Sequence, residues 1–161
     1  GILSKNFNVK TINTTLDPIN LHKILNKLKE QKVDNVILEA SSHGLKQHRL
    51  NCIKFNTALF TNLSRDHLDY HKTFKDYLNS KLILFDKLLR RKGNIIFDNR
   101  IIEAKKLEKI SKKRKLKKYT FGTNKSFMNV IHIQKFKKKK KIDFSLNNKI
   151  YSFESELIGE V

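Results

Sequence analysis

Three short apolar runs, NVILEA (35–40), TALFT (57–61) and NIIFD (94–98), alternate with amphipathic helical stretches along the first two-thirds of the chain. Each run is too short for a stable helix and apolar at its centre, with its polar residues at or near the ends, which is the pattern of strands buried on both faces. Before the first run, LDPINLHKILNKLKEQK (16–32) repeats Leu21, Ile24, Leu25 and Leu28 along one stripe. Asp17 is placed to cap that helix and Pro18 suits its first position. Residues 73–90 form a second helix, opened by Thr73 and Asp76 at capping-box spacing. A basic helix near 100–114 follows the third run. Such alternation predicts parallel strands joined by crossover helices. After residue 115 the pattern changes to KLKKYTFG, NVIHIQKF, KKIDFSLN and KIYSFESEL, all strand-like, with LNNK as a turn between the last two. The predicted class is α/β: a largely parallel sheet with crossover helices, plus a small, mostly antiparallel sheet toward the C-terminus.

The 161 residues suit one domain with a real core, and one proline and five glycines leave no flexible linker to divide it. The opening GILSKNFNVKTINTT reads as the middle of a loop, and the closing ELIGEV stops without a cap. The chain is therefore expected to be a piece of a longer protein. No apolar run approaches the roughly 20 residues of a membrane span, and no basic-then-apolar leader opens it. The single cysteine, Cys52, cannot form an internal disulfide and is expected to be a small buried hydrophobe. A net charge of +20 raises nucleic acid as a partner. The lysine runs at 105–118 and 135–141, however, fall on a helix and beside strands without interleaved stacking aromatics. They read as the solvated surface of a chain rich in Lys, Asn and Ile, and nucleic acid is not an expected partner.

One residue fits badly in the second helix. At about 100° per residue, Phe74, Tyr77, Leu78, Leu82, Leu84, Phe85, Leu88 and Leu89 share an arc, and Lys81 falls within roughly 20° of its centre. An unpaired ammonium is costly to bury. Lys81 either snorkels to the rim or meets an acidic or metal site. Acidic and imidazole groups are available at the ends of two expected strands: Glu39 closes the first, and SRDHLDYH (64–71) after the next supplies Asp66, His67, Asp69 and His71. The carboxyl edge of a parallel sheet is where ligands bind in open α/β folds. Carboxylate, imidazole and water suit a hard divalent ion such as Mg²⁺, while the cysteine or paired-histidine spacing of zinc sites is missing. Taken singly, Glu39 also reads as a cap and the histidines as ordinary loop residues.

The two stretches LEASSHGLKQHRL (38–50) and FTNLSRDHLDYHKTFKDYLNSK (60–81) closely resemble the Mur ligases, and among them the members that add the third residue of the peptidoglycan stem peptide. NTTLDP (13–18) and ESELIGEV (154–161) resemble flanking segments, while 100–150 is less distinctive. The resemblance implies the central, nucleotide-binding α/β domain of a cytoplasmic bacterial enzyme. It also implies ATP as co-substrate, which phosphorylates the terminal carboxylate of a UDP-MurNAc-dipeptide. The amino group of an incoming amino acid then attacks the acyl phosphate. Lys81 matches a lysine that reacts with CO₂ to form a carbamate, and Glu39 and His67 match metal-binding positions for Mg²⁺. A carbamate is an anion, able to hold a cation that an ammonium repels. Asn13, Thr14, Thr15, Ser41, Gln47 and Arg49 match contacts to the muramoyl-dipeptide.

Leu16 stands where the family often has proline, and Ala40 where valine is frequent. None of the five glycines precedes a lysine, so no Gly-Lys-Ser/Thr phosphate loop is present. The resemblance places that loop and a UDP-binding domain before Gly1, and an amino-acid-binding domain after Val161. It also implies that the fragment alone is inactive. Other ligases of the same superfamily, folylpolyglutamate synthases included, remain the nearest alternative.

Overall fold

The computed structural model describes residues 2–3, 8–9, 11, 14–64, 69–122, 125–137 and 139–156. In chain order the elements are β1 (Ile2–Leu3), β2 (Asn8–Val9), α1 (Pro18–Glu30), α2 (Ser42–Lys46), β3 (Phe55–Phe60), α3 (Phe74–Ile83), a π-helical turn (Leu84–Leu88), β4 (Leu89–Asp98), α4 (Ala104–Arg114), β5 (Lys117–Gly122), β6 (Met128–Lys135), β7 (Lys140–Leu146) and β8 (Lys149–Ser155). They form two compact units, residues 1–55 with 63–90 and residues 56–62 with 91–161. Neither unit is contiguous in sequence, so the chain crosses between them without needing a Pro- or Gly-rich linker.

Apart from the short antiparallel pair of β1 and β2, the first unit is helical. Asp17 caps α1 by accepting from the Asn20 amide at 3.0 Å, with Pro18 at the helix start. Leu21 of α1 joins Leu45, Leu50 and Leu88 in a buried cluster, to which Leu16, Leu25, Leu38, Ala40 and Ile83 add partly buried surface. Thr73 caps α3 by accepting from the Asp76 amide at 3.1 Å, the cap expected from the spacing. The long helix predicted over 73–90 is shorter than its pattern. It widens to a π-turn at Leu84–Leu88 and gives way to β4 at Leu89. The apolar periodicity continues because Phe85, Leu88 and Leu89 are all buried, but a strand has taken the last of them.

The expected first strand is not formed. Residues 35–40 belong to no strand, Ile37 is 98% exposed, and Val36 is also exposed. A strand exists through its ladder of hydrogen bonds to a neighbour, and none is present among the described residues. Only Leu38 and Ala40 pack on the leucine cluster. The run is thus buried on one side at most. Cys52 is another correction: it is exposed, in a left-handed conformation with φ 69°.

The second unit is built on a six-stranded sheet of order β3-β4-β5-β6-β7-β8. β4 pairs β5 in parallel, as does β5 with β6, and β6, β7 and β8 then run antiparallel. The strands after residue 115 therefore extend one continuous sheet, and the expected hairpins begin only after β6, since β5 and β6 still pair in parallel. Asn147 and Asn148 make the predicted two-residue turn, both with positive φ (51° and 61°), as a type I′ hairpin requires. Ile95 and Phe97 of β4 and Leu107 of α4 are fully buried. α4 covers 104–114 of the predicted 100–114.

Candidate functional site

Five of the residues matched to substrate contacts meet or adjoin one another in the first unit. Thr15 is buried, and its side chain ties the segment before α1 to the start of α2. Its Oγ1 donates to the Glu39 carbonyl at 3.0 Å and accepts from the Ser41 amide at 3.0 Å. The Ser41 hydroxyl, 2.9 Å away, donates to the remaining lone pair. A hydroxyl has one proton and two acceptor sites, so that of Thr15 is fully used. Ser41 Oγ in turn accepts from the Gly44 amide at 3.1 Å and caps α2. A methyl group at Gly44 would come within 2.6 Å of Thr15 Cγ2, so the bare backbone there gives Thr15 its place.

Arg49 closes the turn. Its Nη1 donates to the Thr15 carbonyl at 2.8 Å and its Nε to Gln47 Oε1 at 2.8 Å. Gln47 passes the chain on, its Nε2 donating to the Tyr70 hydroxyl at 3.0 Å. Thr14 lies exposed beside Thr15. Asn13 falls outside the described residues.

Lys81 lies on α3, neither buried nor fully exposed, with Nζ 5.3 Å from the centre of the Tyr77 ring. The core-facing residues around it are Tyr77, Leu78, Phe85 and Leu88. It therefore occupies the apolar arc as the periodicity predicts, with its ammonium over an aromatic face. Glu39 is exposed and lies in the extended segment before α2. His67 and Asp66 fall outside the described residues. No cluster of three His, Cys, Asp or Glu side chains is present among the described residues.

His71, grouped with the edge ligands from its place in SRDHLDYH, turns into the interior. It is completely buried, with Nε2 3.0 Å from Ser42 Oγ and Nδ1 3.5 Å from Asp76 Oδ2. Lys46 Nζ approaches the same Asp76 oxygen at 2.5 Å and lies over the Tyr70 ring. The hydrogen bond from Lys46 holds the Asp76 carboxyl below the usual carboxylate range, against the opposing effect of burial and helped by the Lys46 charge and by His71. Ser42 and Lys46 carry no sequence signal of these roles. Both lie in SSHGLK, next to Ser41 and Gln47 respectively.

The whole chain, residues 1–161, matches the family model described as the Mur ligase middle domain. It is 39% identical over 146 residues to the UDP-N-acetylmuramoyl-L-alanyl-D-glutamate--2,6-diaminopimelate ligase of Rickettsia bellii, covering 91% of this chain and 31% of that protein. The enzyme of the same name from Rhizobium meliloti is 38% identical over 151 residues, covering 91% of this chain and 30% of the relative. A solved structure of such a ligase superposes with a TM-score of 0.79 at 28% identity, over 89% of this chain and 30% of that one. A folylpolyglutamate synthase complexed with AMPPCP shares the fold alone, at TM-score 0.56 and 12% identity over 88% of this chain and 40% of that one. The chain thus spans about a third of the length of the curated relatives it matches. With a family match over every residue and the Thr15–Ser41–Arg49 turn assembled from the quoted motifs, the chain belongs to the Mur ligase family.

Proposed function

We propose that the chain is the middle part of an ATP-dependent ligase that adds the third amino acid, diaminopimelate, to UDP-N-acetylmuramoyl-L-alanyl-D-glutamate. The observation that carries the reading is the hydrogen-bonded turn of Thr15, Ser41, Gln47 and Arg49, backed by the 39% identity to a ligase of that name. Thr15 is spent on internal bonds, so in this reading it shapes the site. Arg49 uses Nε and one Nη1 proton internally, and its Nη2 edge serves an incoming carboxylate or phosphate, the planar pairing at which arginine excels. Ser41 Oγ keeps one lone pair for a substrate amide or hydroxyl. Asn13 and Thr14 complete the set.

The reaction has two stages. A substrate carboxylate oxygen attacks the γ-phosphorus of ATP, giving an acyl phosphate and ADP. The amine of the amino acid then attacks the acyl carbon, forming the amide and releasing phosphate and a proton. Glu39, His67 and Lys81, the last as its CO₂ carbamate, would hold Mg²⁺. Carboxylate and carbamate oxygens suit a hard cation, and the exposed Glu39 and part-exposed Lys81 are both within reach of solvent-borne ions. When bound, Mg²⁺ offsets the negative charge that builds up during phosphoryl transfer. The parts that cradle phosphate and select the amino acid lie in the two-thirds of the ligase beyond these residues, and the enzyme works in the cytoplasm. No helix among the described residues is long and apolar enough to cross a membrane.

The test is ligation by the full-length protein. Purified enzyme with ATP, Mg²⁺, the UDP-MurNAc-dipeptide and diaminopimelate should release phosphate and yield the UDP-MurNAc-tripeptide by mass spectrometry. Phosphate release that ignores the nucleotide sugar, or no tripeptide, would refute the assignment.

A further inference from the structure

A fully buried imidazole must satisfy both ring nitrogens or bear the cost of an orphaned polar atom. His71 has no exposed surface, and the groups at its two nitrogens come from two different helices. Nε2 faces Ser42 Oγ at 3.0 Å, in the first turn of α2. Nδ1 lies 3.5 Å from the Asp76 carboxylate, in the first turn of α3, an electrostatic contact too long to be a hydrogen bond, and makes no hydrogen bond to the described residues. An ionised carboxylate only accepts, and the Lys46 ammonium on the same oxygen keeps Asp76 ionised. The tautomer protonated on Nδ1 turns its N–H toward that carboxylate, and in it Nε2 accepts from the Ser42 hydroxyl. Tyr77 and Tyr70 flank the ring, each with its centre 5.0 Å away, and His43 lies at 5.5 Å.

What these helices carry gives the contact its meaning. Ser42 directly follows Ser41, whose hydroxyl is locked to Thr15. Tyr77, which packs on His71, is also the ring beneath Lys81 Nζ. One imidazole thus touches both the substrate-side turn and the platform of the lysine.

We propose that His71 is a positioning residue of the ligase, fixing the Thr15–Ser41 turn and the Lys81 helix in a common register through Ser42 on one side and Asp76 on the other. This rests on the ligase reading above. Ser42 is itself only 3% exposed, so the Ser–His–Asp series serves geometry; no substrate reaches that hydroxyl. Misplacing a reacting group by about an ångström costs as much as 100-fold in rate.

The experiment uses the full-length enzyme and three variants. Ser42→Ala removes the donor with little change in volume. His71→Gln restores an acceptor near the Nε2 position, whereas His71→Asn reaches only toward Asp76. The expected result is a fall of about 10- to 100-fold in kcat/KM for Ser42→Ala and His71→Asn, with most activity recovered in His71→Gln. Amide exchange at Tyr77–Lys81 should quicken in Ser42→Ala, although the substitution is on the other helix. Unchanged kcat/KM in a folded Ser42→Ala enzyme overturns the proposal, even if exchange in α3 rises, because that is a stabilising contact only. Should the His71 variants fail to fold, Ser42→Ala decides alone. A wild-type enzyme that makes no tripeptide refutes the ligase reading and this role together; an active wild type with an indifferent Ser42→Ala refutes this role only.

Discussion

Replacing Thr15 by valine keeps the shape of the side chain and deletes only its hydroxyl. That hydroxyl joins three groups: the Glu39 carbonyl, the Ser41 amide and the Ser41 hydroxyl, at 3.0, 3.0 and 2.9 Å. Each bond contributes a net of about 0.5–1.5 kcal/mol, and a stranded buried partner costs about 1–3 kcal/mol. The Ser41 hydroxyl can turn to water and recover much of its share, whereas the Ser41 amide and Glu39 carbonyl are fixed by the backbone. Both contacts are only part-buried, so counting each at the low end of that range gives a loss of about 2–3 kcal/mol, a factor of roughly 30–150 in the local opening equilibrium. The assay is hydrogen exchange on the full-length protein, read at the Ser41 and Gly44 amides. Thr15→Val should speed both by that factor, while Thr15→Ser, which retains the hydroxyl, should change them several-fold at most. KM for the nucleotide sugar should rise in step with the exchange rate. Undiminished Ser41 protection in Thr15→Val, or equal damage from Thr15→Ser, would show that the methyl group and not the hydroxyl holds the turn.

Arg49→Ala removes the bonds to the Thr15 carbonyl and Gln47 together with the charge; steady-state kinetics should show KM for the nucleotide sugar up at least about tenfold with kcat little changed. Lys81→Ala should abolish turnover, and added bicarbonate should fail to restore it, since no amine remains to take up CO₂. In the second unit, burial raises the Asp98 carboxyl, but the side-chain and backbone hydrogen bonds of Arg100 outweigh it and leave the pKa below its usual 3.8. A depressed carboxylate stabilises the fold above its unfolded pKa and loses that contribution as pH falls through the folded value. Asp98→Asn should therefore be less stable than wild type at neutral pH, and the gap should close below about pH 4 in an acid titration followed by exchange at β4 amides.

Local chemistry made much of the fold legible. Asp17 and Pro18 open α1, Thr73 caps α3, and the Asn147–Asn148 pair turns β7 into β8, because each of these acts through bonds within a few residues. Pairing was harder to read. NVILEA has the composition of a buried strand, yet strand formation needs a neighbour that its own residues cannot specify, and Ile37 is left in solvent. The end of the α3 helix was overextended because Leu88 and Leu89 fit helical and strand periods alike. In the site, Thr15, Ser41, Gln47 and Arg49 came from motif resemblance, and their bonds follow. The burial of His71 was not legible, since only three-dimensional packing reveals that its ring turns inward to Ser42 and Asp76. Cys52 defeated the usual rule for cysteine through its left-handed turn, which points a small apolar residue outward.

A crystal structure of the full-length enzyme with ADP, Mg²⁺ and the UDP-MurNAc-dipeptide bears most directly on the catalytic assignment. Lys81 Nζ should carry an added carboxyl group, a metal ion should be bound by it with Glu39 and His67, and the sugar-peptide should sit against Ser41 and Arg49. A bare Lys81 amine over Tyr77, with the ion held by other residues, would contradict that assignment.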